Sequence, residues 1–306
     1  MSAPYRIFPD QPLLFRLVNG ALHSGVPGAW RLYRLLHMQL VGRAAPVEIM
    51  PGNALLLPMT WPGLVNGRGL EGYEPDAITA FSAAVAALGP GVTLIDCGAD
   101  VGAVSRLVLA RVTNVTKLIA FEPNPDSLSL LYDNLTGLSG IVVNVRGTAV
   151  SDVPGEAVLV IDPRQDHDHG AYLSREGGKG VKVVVETIDG LGLAPRPLAL
   201  KIDVEGEELK VMEGARATLA QAPAFCVQLE AHPGVSRRTG VEPQACLALL
   251  AELGAQSFSA YCEQTRERLD DLSPDRPFFS QANPDHIYDV VAFKGQGVPA
   301  SETVLH

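Results

Sequence analysis

One carboxylate and a glycine turn directly follow a short apolar run in this chain. In LIDCGADVGAVS, the apolar residues end at Asp96, and the chain turns between Gly98 and Gly102 before a helical pattern begins. A strand, a glycine turn and a helix in this order are typical of a nucleotide-binding βα unit. The turn predicts cofactor contacts from Asp96, Gly98, Ala99, Asp100 and Gly102.

The charge of this turn separates two cofactor classes. A dinucleotide site has the pattern G-x-G-x-x-G, in which the middle glycine lets the backbone approach an anionic pyrophosphate. Asp100 stands at that middle position, close to Asp96. Two carboxylates would repel a pyrophosphate but attract the sulfonium and ammonium of S-adenosylmethionine. The turn therefore favours S-adenosylmethionine over NAD.

Two further acidic residues follow the next strands and extend the cofactor site. Glu122, in FEPNP, lies at the distance along the chain where an acidic side chain accepts hydrogen bonds from a ribose diol, and Pro123 adjoins it. Asp152, in GTAVSD, is expected to meet the exocyclic amine of adenine. A turn carboxylate before Pro154 remains an alternative for Asp152.

The fourth strand ends in the charged motif LKIDVEGEE. Lys201, Asp203 and Glu205 alternate with apolar residues, so they share one face if the strand continues through Glu205. Asp203 is expected to serve both the cofactor and catalysis. A purely supporting ion pair between Lys201 and Asp203 is the alternative.

The fifth strand ends in LEAHP, which brings Glu230 and His232 to the same rim. Transfer of a group to an alcohol calls for a general base or a metal, and Asp203, Glu230 and His232 are the candidates. We rank His232 first as the base. The same three residues offer an alternative Mg²⁺ site, although no metal ligand is assigned.

The order of apolar patterns predicts an α/β fold with a mostly parallel, twisted, seven-stranded sheet and helices on both faces. The predicted strands are 92–97, 117–121, 141–145, 198–202 and 225–229, with a closing antiparallel pair at 257–261 and 288–293. The predicted helices are 101–111, 125–135, 207–220 and 244–253, and residues 158–161 and 181–185 predict an added hairpin.

Residues 1–70 are predicted to form an N-terminal extension to a catalytic domain over residues 71–306. Five arginines and one aspartate lie within residues 1–47, and Trp30, Tyr33, Leu36 and Leu40 share one helical face. This amphipathic helix is expected to cover one end of the sheet; a patch for an anionic lipid, an acceptor or a partner protein is the alternative, and a homo-oligomer is left open. Residues 51–75, rich in proline and glycine, predict a linker without regular elements.

Composition excludes several function classes. A net charge of -10 disfavours binding to nucleic acid. The sequence shows neither a membrane-spanning run nor a secretory signal, which predicts a cytoplasmic protein. Four scattered cysteines predict buried, reduced thiols. The polar segment 162–180 predicts a mobile loop, and no site is assigned to His167 and His169 within it.

Taken together, LIDCGADVG, FEPNP, AVSDVPGE, KIDVEGEE and LEAHP resemble the FkbM methyltransferase family over residues 71–293. The resemblance implies a class I methyltransferase fold, S-adenosylmethionine as cofactor, and O-methylation of a sugar or another hydroxylated secondary metabolite. The chain departs from the family pattern at Asp100, where asparagine is usual, and at Ala103, where an aromatic residue is common. A non-catalytic scaffold with this fold and an NAD-dependent oxidoreductase are the alternatives.

Overall fold

The computed structural model describes residues 32, 35, 44–50, 53–58, 75–161, 170–175 and 179–296. The chain divides into two compact units, Met1–Pro75 with Arg164–His167, and Asp76–Pro163 with Asp168–His306. Within the described residues of the first unit, strands β1 (Ala44–Met50) and β2 (Asn53–Pro58) form an antiparallel hairpin. The predicted boundary at residues 70 and 71 stays a prediction.

The second unit contains a large sheet, which confirms the predicted α/β class and most of its strands. Its strands are β3 (Val92–Cys97), β4 (Val115–Phe121), β5 (Val142–Arg146), β10 (Leu198–Ile202), β11 (Phe225–Ala231), β12 (Ser257–Cys262), β13 (Arg268–Leu269) and β14 (Tyr288–Lys294). The strand order across the sheet is β13-β12-β14-β11-β10-β3-β4-β5, and the five adjacent strands β11, β10, β3, β4 and β5 are mutually parallel. Strand β14 pairs antiparallel with β11 and with β12, as predicted for the closing pair.

A second sheet contains the predicted pair of strands and two more. Its strands are β6 (Ala149–Val150), β7 (Gly155–Val160), β8 (Tyr172–Ser174) and β9 (Val181–Glu186). The predicted segments 158–161 and 181–185 belong to β7 and β9, which pair antiparallel as expected of a hairpin. The strand order is β6-β9-β7-β8, and the sheet has its own small apolar cluster. The predicted loop 162–180 is interrupted by β8, and residues 162–169, with His167 and His169, lie outside the described residues.

The described residues contain seven α-helices in the second unit, the first of which begins at Pro75, one residue before that unit starts. They are α1 (Pro75–Ala87), α2 (Ala103–Leu109), α3 (Pro125–Leu135), α4 (Glu208–Glu213), α5 (Arg216–Gln221), α6 (Pro233–Thr239) and α7 (Pro243–Glu252). The bounds of α3 agree with the prediction. Among the described residues, no helix combines the length and apolar character that crossing a bilayer requires. All four cysteines are buried and free, as predicted.

The structure corrects three predictions about elements. The single helix over 207–220 is broken at Gly214, because the Gly214 carbonyl accepts the backbone N–H of Asp189, and the Asp189 carboxylate accepts the N–H groups of Ala217 and Thr218 at the start of α5. The linker 51–75 contains strand β2, since its apolar residues pair with β1 despite the nearby glycine and proline. The large sheet has eight strands, because the two-residue β13 adds to its edge. The N-terminal helix lies outside the described residues except for Leu32 and Leu35.

Alternation along the strands gives the large sheet one apolar and one partly polar face. Leu200 and Ile202 of β10 belong to the main apolar cluster, together with buried residues of α4, α5 and α7. Lys201, between them, pairs in register with Asp96 of β3 and Gln228 of β11. These three buried polar residues therefore form one row across the sheet, just below its carboxyl edge.

Candidate active site

The glycine turn after β3 is fixed by backbone contacts. Gly98 has a φ of 76°, and a Cβ there would lie 1.8 Å from the Asp203 carbonyl oxygen. The amides of Gly98 and Ala99 both donate to the carbonyl of Phe121, and the amide of Gly102 donates to the carbonyl of Ala99. These three predicted cofactor residues hold the turn against the ends of β4 and β10.

Glu122 lies at the end of β4 and joins two loops. Its Oε2 accepts the backbone N–H of Asp100 at 2.7 Å, and its Oε1 accepts that of Asn124 at 2.7 Å. The side chain is 7% exposed. Burial raises the pKa of Glu122 to about 8, and the negative charge of Asp100 adds to the rise. Pro123, partly buried, connects Glu122 to Asn124, whose side chain caps α3.

Asp100 and Asp96 lie at different depths. Asp100 is partly exposed with a φ of 48°, and its Oδ1 accepts the hydroxyl of Ser127 at 2.6 Å. Asp96 is 1% exposed, and its Oδ2 accepts the hydroxyl of Ser105 at 2.6 Å. Its Oδ1 is buried without a hydrogen bond and lies 3.5 Å from Lys201 Nζ. Asp96 therefore supports the turn from beneath.

Asp152 has protein partners in addition to its predicted ligand role. Its Oδ1 accepts Nη2 of Arg175 at 2.9 Å and the hydroxyl of Ser151 at 3.0 Å. Arg175 follows β8, so this ion pair ties the smaller sheet to the segment after β6. A contact between Asp152 and adenine stays a prediction.

Asp203, Glu205 and Glu230 form a carboxylate cluster at the ends of β10 and β11. One oxygen of each lies within 4.8 Å of the others. β10 ends at Ile202, so the strand does not continue through Glu205 and the predicted common face of Lys201, Asp203 and Glu205 is not formed; Asp203 and Glu205 lie instead in a turn in which Glu205 has a φ of 55°. Burial raises the pKa of Glu230 to about 11, and the negative charge of Asp203 contributes next.

Two carboxylates from the last part of the chain enlarge this cluster. Asp289 pairs in register with Glu230 and accepts Gln228 Nε2 at 3.0 Å. Burial raises the pKa of Asp289 to about 7 and that of Glu263 to about 7. Sequence reasoning missed both residues. The signal in the sequence was a single acidic residue, Asp289, within the otherwise apolar run 288–293, because a charge inside a buried strand is rare without a partner.

His232 lies beside the cluster as the N-cap of α6. Its Nδ1 accepts the backbone N–H of Gly234 at 2.9 Å and that of Val235 at 3.3 Å. A neutral imidazole whose Nδ1 accepts carries its proton on Nε2. Burial lowers the pKa of His232, and the charges of Arg237 and Arg238 add to this. The ring is thus used as a helix cap, which competes with the predicted role as a base.

Comparison with known proteins identifies the family of the chain. Residues 96–257, about half of the chain, match the family described as Methyltransferase FkbM domain. The chain belongs to this FkbM family. The match includes Asp96, Glu122, Asp203, Glu230 and His232, whereas Glu263 and Asp289 lie beyond it.

Three individual proteins to which this FkbM chain is similar share 30% sequence identity or less with it. The curated hexuronic acid methyltransferase AglP of Haloferax volcanii is 30% identical over 162 residues, which cover 52% of this chain and 61% of AglP. The solved structure of methyltransferase FkbM from Methylobacillus flagellatus KT has 19% identity and a TM-score of 0.39, with 67% of this chain and 44% of that chain covered. The SAM-dependent O-methyltransferase from Thermotoga maritima has 16% identity and a TM-score of 0.36, with coverages of 74% and 67%.

Proposed function

We propose that the chain transfers a methyl group from S-adenosylmethionine to a hydroxyl oxygen of a sugar or a similar hydroxylated metabolite. Family membership supports methyl transfer. The observation that carries the choice of cofactor is the arrangement of Glu122 and the glycine turn, in which carboxylates face the rim while the amides are used by the protein.

The donor set fits S-adenosylmethionine better than a dinucleotide. A pyrophosphate is bound by backbone N–H groups that point toward it. Here the N–H groups of Gly98, Ala99, Asp100 and Gly102 donate to protein acceptors. Carboxylates at the same rim attract the sulfonium and ammonium of S-adenosylmethionine. The two carboxylate oxygens of Glu122 each keep a second lone pair, which suits a ribose diol.

S-adenosylmethionine supplies an electrophilic methyl group when it is bound. The chain must then position the acceptor hydroxyl and accept its proton. We propose Asp203 as the proton acceptor, since its side chain is 37% exposed at the rim and lies 3.2 Å from the Lys201 ammonium. Glu230, with a raised pKa, is protonated at neutral pH and is suited to donate a hydrogen bond that orients the acceptor.

The identity of the acceptor is a proposal drawn from the family. The printed name of AglP describes a hexuronic acid methyltransferase, and the matched segment spans only 61% of AglP. Glu230 and Glu263, whose pKa values are raised by burial, can hydrogen-bond to hydroxyl groups as neutral carboxyl groups, which suits a polyhydroxylated acceptor.

Methyl transfer is proposed to proceed without an essential Mg²⁺. The cluster that offers a cation site contains Asp203, Glu205 and Glu230 rather than His232, whose Nδ1 caps α6. Lys201 already supplies a positive charge to Asp203. Turnover that persists in excess EDTA is expected, and loss of turnover that Mg²⁺ restores would establish the metal-dependent alternative.

The test is methyl transfer by the purified chain. The chain is incubated with S-adenosylmethionine carrying a deuterated methyl group and a panel of sugars, uronic acids and polyketide alcohols, and products are found by mass spectrometry. We expect one acceptor class to gain the label on oxygen. Asp203→Asn should abolish the gain, whereas the control Asp133→Asn, at an exposed position of α3, should not. Equal turnover by Asp203→Asn would remove Asp203 as the proton acceptor.

A further inference from the structure

Lys201 is a buried cation that contacts both halves of the candidate active site. Its side chain is 7% exposed. Its Nζ donates to the carbonyl of Gly98 at 2.6 Å, on the cofactor side, and lies 3.2 Å from Oδ2 of Asp203, on the acceptor side. A buried ammonium is stable only when it is paired and hydrogen-bonded, and these contacts meet that requirement.

The position of Lys201 in the sheet explains this double contact. β10 lies between β3 and β11, and Lys201 pairs in register with Asp96 on one side and Gln228 on the other. The row below the rim thus runs from the cofactor turn to the strand of Glu230. Two buried acceptor atoms in the row, Asp96 Oδ1 and Gln228 Oε1, lack a hydrogen bond of their own. The ammonium of Lys201 lies 3.5 Å from the first of these atoms and places a positive charge beside it.

We propose that Lys201 is a positioning residue for methyl transfer, which holds the Gly98 turn and the Asp203 carboxylate in a fixed relation and keeps the two halves of the site electrostatically coupled. This inference rests on the proposed function. This role differs from that of a purely supporting ion pair between Lys201 and Asp203, because loss of such a pair would lower the stability of the fold without changing cofactor binding.

The positive charge of Lys201 acts on ionisable groups on both sides of β10, which supports the proposed coupling. Its charge opposes the rise in the pKa of Glu122, the proposed ribose ligand on β4, where burial is the main cause. It also opposes the rise in the pKa of Asp289 on β14, again caused chiefly by burial. Removing this charge should therefore make Glu122 harder to ionise.

The experiment measures the affinity of the full chain for S-adenosylhomocysteine by calorimetry at intervals from pH 6.5 to pH 9.5. Lys201→Gln removes the charge and keeps a side-chain N–H donor, Lys201→Met removes both, and Lys201→Arg keeps the charge. Lys182→Met, at an exposed position of β9, is the control. Glu122→Gln provides the baseline, because any pH dependence that remains in it belongs to the ligand or to other groups.

We expect the pH at which affinity is half-maximal to rise by roughly 0.5–1 unit in Lys201→Gln and Lys201→Met. Lys201→Arg should restore the midpoint of the wild type, and Lys182→Met should not change it. Lys201→Met should in addition bind roughly tenfold more weakly at every pH, because the Gly98 carbonyl loses its donor.

Three results would overturn the proposal. The first is an unchanged midpoint with affinity lowered by one constant factor. The second is an equal shift in Lys182→Met. The third is failure of both neutral variants to fold, which would show that Lys201 is required for folding itself.

Failure of the proposed function is a different result, in which the wild type itself does not bind S-adenosylhomocysteine. In that case the pH dependence of urea unfolding still tests Lys201, since loss of its charge should steepen the fall in stability between pH 6 and pH 9, and an unchanged slope would contradict the coupling.

Discussion

The backbone N–H of Asp100 donates to Oε2 of Glu122 at 2.7 Å, so one buried carboxylate joins the turn after β3 to the end of β4. Asn124 donates to the other oxygen at the same distance. Glu122 is therefore positioned before any ligand arrives, and a rigid acceptor loses little entropy when it binds a diol.

Cofactor affinity should depend on the ionisation of Glu122. Its pKa is raised to about 8, so the carboxylate is mostly protonated below that pH and ionised above it. Affinity for S-adenosylhomocysteine should therefore increase from pH 6.5 to pH 9. Glu122→Gln should weaken binding roughly ten- to hundredfold at pH 9 and lose most of the pH dependence. Glu156→Gln, at an exposed position of β7, should behave as the wild type. Identical pH profiles for Glu122→Gln and the wild type would contradict this assignment.

Gly98 should be intolerant of a side chain for reasons of space. Gly98→Ala and Gly89→Ala introduce a Cβ at similar backbone angles, with φ values of 76° and 83°. At Gly98 the Cβ would lie 1.8 Å from the Asp203 carbonyl oxygen, whereas nothing lies within 4 Å at Gly89. Both variants carry the left-handed strain of roughly 1–2 kcal/mol. We expect Gly98→Ala to lose about 1–3 kcal/mol more in urea unfolding. Equal losses would show that the turn can move away from β10.

His232 should matter more for helix α6 than for proton transfer. His232→Ala removes the cap and should cost about 0.5–2 kcal/mol of unfolding free energy. His232→Asn provides another capping side chain and should restore most of this stability. Turnover of His232→Asn with an identified acceptor should remain close to that of the wild type. A large loss of turnover in a variant of normal stability would reinstate His232 as the base.

Stability should fall with rising pH, in part because of Asp289. A carboxyl group whose pKa is raised on folding stabilises the folded state fully below its unfolded pKa, and this contribution is lost as the pH rises through the folded value. For Asp289 that window runs from about pH 4 to about pH 7. Asp289→Asn, which can still accept the hydrogen bond of Gln228, should be more stable than the wild type at pH 9 by on the order of 1–3 kcal/mol. The two proteins should be nearly equal at pH 4, and Asp285→Asn should match the wild type throughout.

Local patterns in the sequence predicted the elements of the sheet well. The proline after Asn124 and the apolar spacing define α3, and short apolar runs define the parallel strands. The break at Gly214 was not predictable in this way, because it depends on hydrogen bonds to Asp189, which is distant along the chain. Helix α6 was missed because its first residues, proline and glycine, suggest a turn.

The candidate site shows the same division between local and distant contacts. Glu122 and Asp203 follow strands and Glu230 lies near the end of β11, so their common edge could be predicted from the order of elements. The use of Nδ1 of His232 as a cap could not, since it depends on the angle at which α6 leaves β11. The pairing of Asp152 with Arg175 depends likewise on β8, which sequence patterns did not reveal.

The anionic rim with its pre-positioned Glu122 should bind S-adenosylmethionine rather than a dinucleotide. Calorimetric titration of the purified chain at pH 9 with S-adenosylmethionine, S-adenosylhomocysteine and NAD measures this preference directly. We expect one-to-one binding of S-adenosylmethionine and S-adenosylhomocysteine with dissociation constants of roughly 1–100 µM, and no binding of NAD. Binding of NAD, with no heat from S-adenosylmethionine or S-adenosylhomocysteine at about 1 mM, would show that the rim does not select the sulfur cofactor.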